Sequence, residues 1–399
     1  MNQAPATPAH APTPVMSRAE QRRQVSDWLA SQRSEMEAML ASIVNIDSGS
    51  RQSAGIEQVA SLLRAPLEQA GWRTEWLAQP GYGACLQAEL PGQDPQAAPV
   101  LLLGHMDTVF PAGTAAARPY RVEDGKAFGP GVADMKSGLV LHTWVAQALA
   151  RSGGAPRPLR IFFSCDEEIG SPATRGAIRQ AAQGCHAVLN AEPGRISGNV
   201  VTSRKGSCVT VFEVEGVAAH AGINPAQGAS AIGALALKIV ALHGLNGLEE
   251  GVTANVGHIE GGMAANVVAP LARAQLDLRY TADTDLPRLL ETVRQIIEAP
   301  SLERTRGRII EQHSTLPMAP TPAPLLQLYQ RSAAEVGFAV EGEFTGGAAD
   351  SGITSSMGIP TLCALGPVGG YAHSEREFCL LDTLVPRAQA LALTVLGLD

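Results

Sequence analysis

Three apolar runs in this chain stop abruptly at a histidine or at acids: PVLLLGHMD at 99–107, LRIFFSCDEE at 159–168 and HAVLNAE at 186–192. Runs of this length without polar alternation are strands buried on both faces, as in parallel sheets covered by helices. Helical stretches lie between and around them. Residues 18–44 carry apolar positions at three- and four-residue steps, a second helix spans about 56–70, and DMKSGLVLHTWVAQALA and SPATRGAIRQAA read as two more, with Ser171 as N-cap and Pro172 at the first helical position of the last. Strands alternating with helices predict an α/β fold with a mostly parallel sheet.

The pattern changes near residue 206. SCVTVFEVEG is strand-like, PAQGASAIGALALKIVALHG helical, GVTANVGHIEGG and ARAQLDLRY strands, TDLPRLLETVRQIIEA a helix and RGRIIEQHS a strand. That order, β-α-β-β-α-β, is the split βαβ arrangement of ferredoxin-like folds. The Pro-rich LPMAPTPAPL leads back to helix–strand alternation, which continues to the end of the chain. The predicted organisation is a disordered tail over 1–17, a catalytic domain formed by 18–205 and 319–399, and an α+β domain, 206–318, inserted into it.

Composition removes several function classes. The 399 residues carry a net charge of −8, and the densest basic clusters, RRQ at 22–24 and RTRGR at 304–308, are short and far apart. Nothing neutralises a phosphate backbone, so nucleic acid is not expected as a partner. No apolar run approaches the roughly 20 residues of a membrane span. The six cysteines form no CxxC pair, which argues against a thiolate zinc site and suits reduced, buried thiols. The N-terminal stretch lacks the charged and apolar regions of a signal peptide, so the cytoplasm is the expected compartment, with the periplasm the alternative for a chain whose leader has been removed.

In open α/β sheets ligands bind at the carboxyl ends of the strands. The runs deliver His105 and Asp107, then Glu167 and Glu168, then Glu192 to that rim, and IPTLCALGPVGGYAH leads through a glycine-rich loop to His373. Asp134, where GPGVADMKSG enters a helix, is within reach of the same rim. Each residue alone has an ordinary explanation as a helix cap, a solvated turn or a satisfied histidine. Together, imidazoles and carboxylates without cysteine make a site for zinc, or less decisively for manganese or cobalt. Divalent cations also explain why Asp166, Glu167 and Glu168 stand side by side, since bound cations offset the repulsion of crowded acids.

The stretches GHMDTV, GPGVADMKSG, DEEIGS, AEPG, GVAAHAG, GGMAANVV, LDLR and GGYAHSERE, in this order, make the chain similar to the M20 metallopeptidases, and within them to the carboxypeptidase G (glucarpidase) type. The resemblance spreads over nearly all the chain after residue 100. It implies a di-zinc centre, with Co2+ or Mn2+ as substitutes, in which His105 and Glu192 bind one ion, Glu168 and His373 the other, and Asp134 bridges. It further implies Glu167 as general base, Asp107 supporting His105, His220 polarising the scissile carbonyl, and Asn266 and Arg279 holding a substrate carboxylate. The inserted domain of such enzymes dimerises and closes over the site, so a homodimer is expected.

The resemblance has departures. Where carboxypeptidase G types place a lysine that recognises a glutamate side chain, this chain has Asn199, and Met135 follows the bridging aspartate where close relatives have an acid. The expected activity is hydrolysis of an amide bond next to an amino acid with a free carboxylate, in a small N-acyl amino acid or short peptide. A biosynthetic aminoacylase or deacylase, or a dipeptidase, is the alternative on the same centre. A non-catalytic metal- or peptide-binding relative would not need an unliganded Glu167. A nucleotide-binding oxidoreductase would need a GxGxxG after an early strand, which is absent.

Overall fold

A computed structural model describes residues 16–282 and 284–398. The expected tail therefore lies outside the described residues, apart from Met16 and Ser17. Ser17 already belongs to the first helix: its hydroxyl accepts from Glu20 N at 3.3 Å while the Glu20 carboxylate accepts from Ser17 N at 2.9 Å, a capping box. The single helix expected over 18–44 is two, α1 (Arg18–Ser31) and α2 (Arg33–Val44), broken at Gln32. The break lets Val25 and Leu29 of one and Met36, Leu40 and Ile43 of the other enter one core. Helix α3 (Ser53–Gln69) follows.

The main sheet contains β1 (Arg73–Gln79), β2 (Gly83–Leu90), β3 (Val100–His105), β4 (Leu159–Ser164), β5 (Ala187–Asn190) and the short strand Thr361–Leu362, in the spatial order β1-β2-β4-β3-β5-(361–362). The sheet is mixed: β4, β3, β5 and 361–362 run parallel, and β1 and β2 add antiparallel at one edge. Every residue of β3 and β5 is buried, as the unbroken apolar runs require. Each buried Leu or Val there contributes about 1.5–3 kcal/mol relative to exposure. Helices α4 (Ser137–Arg151) and α5 (Arg175–Ala182) follow β3 and β4.

Helix α5 starts at Arg175 and not at Pro172. Ser171 has φ 55 and gives its hydroxyl to Asp350, while Asp166 takes the N–H of Ala173 at 2.7 Å and the hydroxyl of Thr174. The backbone donors expected to be capped by Ser171 are thus claimed by Asp166. Gly138 in α4 lets the chain after β5 approach closely, because a Cβ there would lie 1.9 Å from the carbonyl oxygen of Ala191. That contact sets Glu192 beside the start of α4.

A second sheet, β6 (Gly206–Glu215), β7 (Thr253–Gly261), β8 (Leu271–Tyr280) and β9 (Arg306–Thr315), has the order β7-β8-β6-β9, antiparallel throughout. With α6 (Ala231–His243) and α7 (Leu286–Glu298) it makes the expected ferredoxin-like arrangement, inserted into the α/β fold. Residues 225–230 do not join α6: Pro225–Gln227 is a separate turn of 3₁₀ helix, and Ser230 caps α6 through Gly233 N at 3.0 Å. This unit has its own apolar core, built on Phe212, Leu235, Leu276, Leu278 and Val293. The chain then returns through α8 (Ala323–Glu335) and α9 (Leu384–Leu396), which pack Tyr329 and Leu391 into the main core. No described helix is long and apolar enough to cross a membrane.

Candidate active site

The parallel strands bring their carboxyl ends to one rim, and the polar residues after them converge there. His105 closes β3 and is buried. Its Nδ1 donates to the backbone carbonyl of Asp107 at 3.0 Å, with the Asp107 carboxylate at 3.3 Å. Nε2 is thereby turned to the rim, where Asp134 Oδ1 lies at 3.2 Å and Glu192 Oε1 at 3.8 Å. Asp107 also accepts the N–H of Glu167 and of Glu168, both at 3.1 Å, and the hydroxyl of Ser50 at 2.6 Å. One buried carboxylate therefore positions both the imidazole and the neighbouring acidic turn.

That turn does not continue the strand before it. Glu167–Ile169 is a turn of 3₁₀ helix, because the two amides drawn to Asp107 curl the backbone. The two side chains still diverge. Glu168 Oε2 meets His373 Nε2 at 3.1 Å, whereas Glu167 Oε2 lies 3.9 Å from His105. His373, half-exposed and at φ 63, sits in the loop after Gly369–Gly370, which a strand pairing of Phe378–Leu380 with Lys126–Phe128 holds over the rim. Its Nε2 is 3.3 Å from Asp134 Oδ2. Asp134 thus turns one oxygen to each histidine.

The charges are poised for cations. Burial, then the charge of Asp134, pushes Glu168 and Glu192 up to about 7, and burial holds Glu167 well above the usual carboxylate range. The contacts of His373 with Asp134 and Glu168 push it up to about 10. Burial opposes protonation of His105, but its contacts with Asp107 and Asp134 prevail and raise it. Glu168 Oε1 and Glu192 Oε1 are buried without a hydrogen-bond partner. Ligand atoms of His105, Asp134 and Glu168 lie within 4.8 Å of one another. Two imidazoles, a shared aspartate and two orphaned carboxylate oxygens fit a pair of divalent ions held by His105, Glu192, Asp134, Glu168 and His373.

The cluster floors a cleft of about 670 Å³ whose walls include Lys126, Arg195, Arg204, Gly347, Tyr371 and Phe378. The three residues expected from the inserted domain are not among those walls. His220 and Asn266 are exposed neighbours, joined by Ala221 N donating to Asn266 O at 2.9 Å, and His220 Nδ1 accepts locally from Gly222 and Ile223. Arg279 pairs with Asp277 at 3.0 Å and reaches the cleft loop only at Gly346 O, 3.5 Å away. Asn199 bonds Glu343 at 3.0 Å, outside the cleft.

Sequence reasoning missed two supports. Glu377, buried, accepts the N–H groups of Gly131, Ala133 and Asp134 at 3.3, 2.9 and 3.1 Å, and so fixes the loop that carries the bridging aspartate. Its signal was present in GGYAHSERE, but no spacing told which acid of that stretch turns inward. Arg204, buried, donates to the carbonyls of Gly347 and Ala348 at 3.1 and 3.3 Å and lines the cleft near Glu192.

A mixed α/β sheet with an inserted α+β unit and this cluster at its carboxyl edge define a metal-dependent hydrolase. The chain belongs to the Peptidase family M20/M25/M40, whose profile matches residues 101–397. It is 26% identical over 365 residues to carboxypeptidase G2 of Pseudomonas sp. (strain RS-16), covering 88% of this chain and 86% of that one. It is 27% identical over 355 residues to acetylornithine deacetylase of Edwardsiella ictaluri, covering 83% and 88%. A tripeptidase of Staphylococcus aureus has the same fold, with a TM-score of 0.77 at 21% identity over 92% of this chain and 98% of the other.

Proposed function

We propose that the protein is a di-zinc hydrolase that cleaves an amide bond next to an amino acid with a free carboxylate, in small N-acyl amino acids or short peptides. The observation that carries this reading is Asp134, with Oδ1 toward His105 and Oδ2 toward His373, beside a Glu167 whose carboxylate stands back 3.9 Å from His105, beyond hydrogen-bond distance. Bound divalent ions supply Lewis acidity, lowering the pKa of water and polarising the scissile carbonyl. Glu167 takes the proton of the attacking water and delivers it to the departing amine. Asp107 keeps His105 in the tautomer that presents Nε2. His220 stabilises the developing oxyanion, and Asn266 and Arg279 hold the substrate carboxylate, once the inserted unit brings them over the cleft. Its exposed apolar residues, Ile232, Leu237, Val240, Ile259 and Met263, support a homodimer through that unit.

The test is a hydrolysis screen of N-acyl amino acids and dipeptides with added zinc, varying acyl group and residue. Cleavage of only small acyl groups from biosynthetic amino acids assigns the deacylase alternative, in line with the likeness to acetylornithine deacetylase. No metal-dependent cleavage of any substrate overturns the proposal. Arg279→Ala should raise KM for free-carboxylate substrates about 10–100-fold, the loss of one charge-assisted contact, with little change in kcat. An equal effect on carboxamide analogues would rule out carboxylate recognition.

Metal binding should be linked to pH. Glu168 and Glu192, at about 7 in the fold, lie above their unfolded values near 4.5, so the metal-free fold binds extra protons between those pH values. Their contribution to stability falls as pH rises through that window. His373, raised to about 10 from 6.5, contributes stability fully present below 6.5 and lost as pH rises toward 10. Both make the metal-free protein weaker at higher pH, and cations reverse the cost. The Tm difference between zinc-loaded and chelator-treated protein should widen from pH 5 to pH 8, reaching roughly 10 °C in excess zinc. A constant difference would exclude these groups as ligands.

A further inference from the structure

The turn bearing Glu167 and Glu168 is tied to the inserted unit as well as to the catalytic sheet. Gly170 ends that turn at φ 85, its N–H on Glu167 O at 2.7 Å, and packs against the end of β9. A Cβ at Gly170 would lie 3.2 Å from Thr315 Cγ2 and 3.8 Å from His313 Cδ2. Thr315 stands at one of the two places where the chain passes between the units, and it fastens the other. Its hydroxyl accepts Ser207 N at 3.0 Å, and its carbonyl accepts the hydroxyl of Tyr280 at 2.7 Å.

Arg175, the first residue of α5, closes this junction. Its Nη2 donates to Gly170 O at 3.2 Å and to Ser314 O of β9. One guanidinium nitrogen thus holds both the last residue of the acidic turn and the root of the inserted unit. Arg175 Nε is buried without a partner, and Arg175 shares a void of about 10 Å³ with Glu167, Ser171 and Asp350. A void of that size is at the lower limit for one water, so there is little slack behind Glu167. Asp350 closes the far side by accepting Ser164 Oγ at 2.9 Å and the hydroxyl of Ser171. A shift of β9 at its root therefore either breaks the Arg175 bridge or moves Gly170, three residues from Glu167.

We infer that Arg175 is a positioning residue: it transmits the placement of the inserted unit to the turn that carries Glu167. The inference rests on Glu167 being the base of the hydrolysis proposed above. The bridge needs two diverging donors on one planar nitrogen, which Gln at this position does not reach and Lys supplies only in part.

The test uses the full chain loaded with zinc. Arg175→Gln should lower kcat about 100-fold, the cost of roughly 1 Å of misplacement at the reacting group, with KM within about two-fold and metal content unchanged. Arg175→Lys should recover part of that loss, and it carries the test if the Gln variant does not fold. Unchanged kcat in both variants overturns the inference, as does a loss shared equally by KM or accompanied by loss of metal. If the wild type hydrolyses nothing in the screen, the catalytic reading fails by itself, and amide exchange decides the coupling. Exchange at 167–171 should then speed up at least ten-fold in Arg175→Gln while the β6 and β8 core amides stay protected; no change there overturns the inference.

Discussion

Glu167→Gln should retain zinc by elemental analysis and lose hydrolysis by about 10²–10⁴-fold, the usual contribution of a positioned general base. The substitution keeps the shape of the side chain and its backbone contact, since the Glu167 N–H to Asp107 is untouched. What it removes is the basic oxygen 3.9 Å from His105 Nε2. Because burial already holds Glu167 above the usual range, its ionised form is disfavoured in the metal-free protein, and a neutral amide avoids that cost. The metal-free variant should therefore be at least as thermally stable as the wild type above neutral pH, where ionisation of a buried acid is otherwise a cost. A KM within a few-fold of wild type would place the whole loss in the proton-transfer step. Near-normal turnover would remove Glu167 from the mechanism and leave the cluster a binding site only.

The catalytic side of the molecule was legible because its signals are local. A buried parallel strand must be an unbroken apolar run, and whatever follows it lies at the carboxyl edge; hence His105, Glu167, Glu168 and Glu192 were found at β3, β4 and β5, and a common rim followed from the strands being parallel. The local backbone was less legible wherever a distant side chain intervened. Asp107 bends the acidic turn into a 3₁₀ helix, Asp166 moves the start of α5 to Arg175, and Asp350 takes the hydroxyl of Ser171 that was expected to cap it. Glu377 was invisible for the same reason, since its three backbone partners lie more than 240 residues earlier. For His220, Asn266 and Arg279 the sequence supplies the residues but not their approach to the cleft, which depends on where the inserted unit stands. Arg175 carried no signal at all: an arginine at a helix start is an ordinary surface residue until the carbonyls of Gly170 and Ser314 are seen to share it.

Asp134→Asn tests the centre at its pivot. The wild-type carboxylate gives one oxygen to each side, 3.2 Å from His105 and 3.3 Å from His373, and both imidazoles together hold it well below the usual range despite burial. An amide has one acceptor oxygen and a nitrogen that only donates, so it serves one side and repels an ion on the other. The loop itself should survive, since Glu377 grips it through backbone N–H groups that the substitution leaves in place. The expected result is a folded protein whose zinc content falls from two to one or fewer per chain, with hydrolysis lost by several orders of magnitude and the zinc-induced rise in Tm largely gone. Loss of the bridging charge also leaves Glu168 and Glu192 without the neighbour that raises them after burial, so both should titrate lower in the variant. Two bound ions and wild-type turnover in Asp134→Asn would mean that the two histidines do not share a metal pair through this residue, and the di-zinc reading would fall with it.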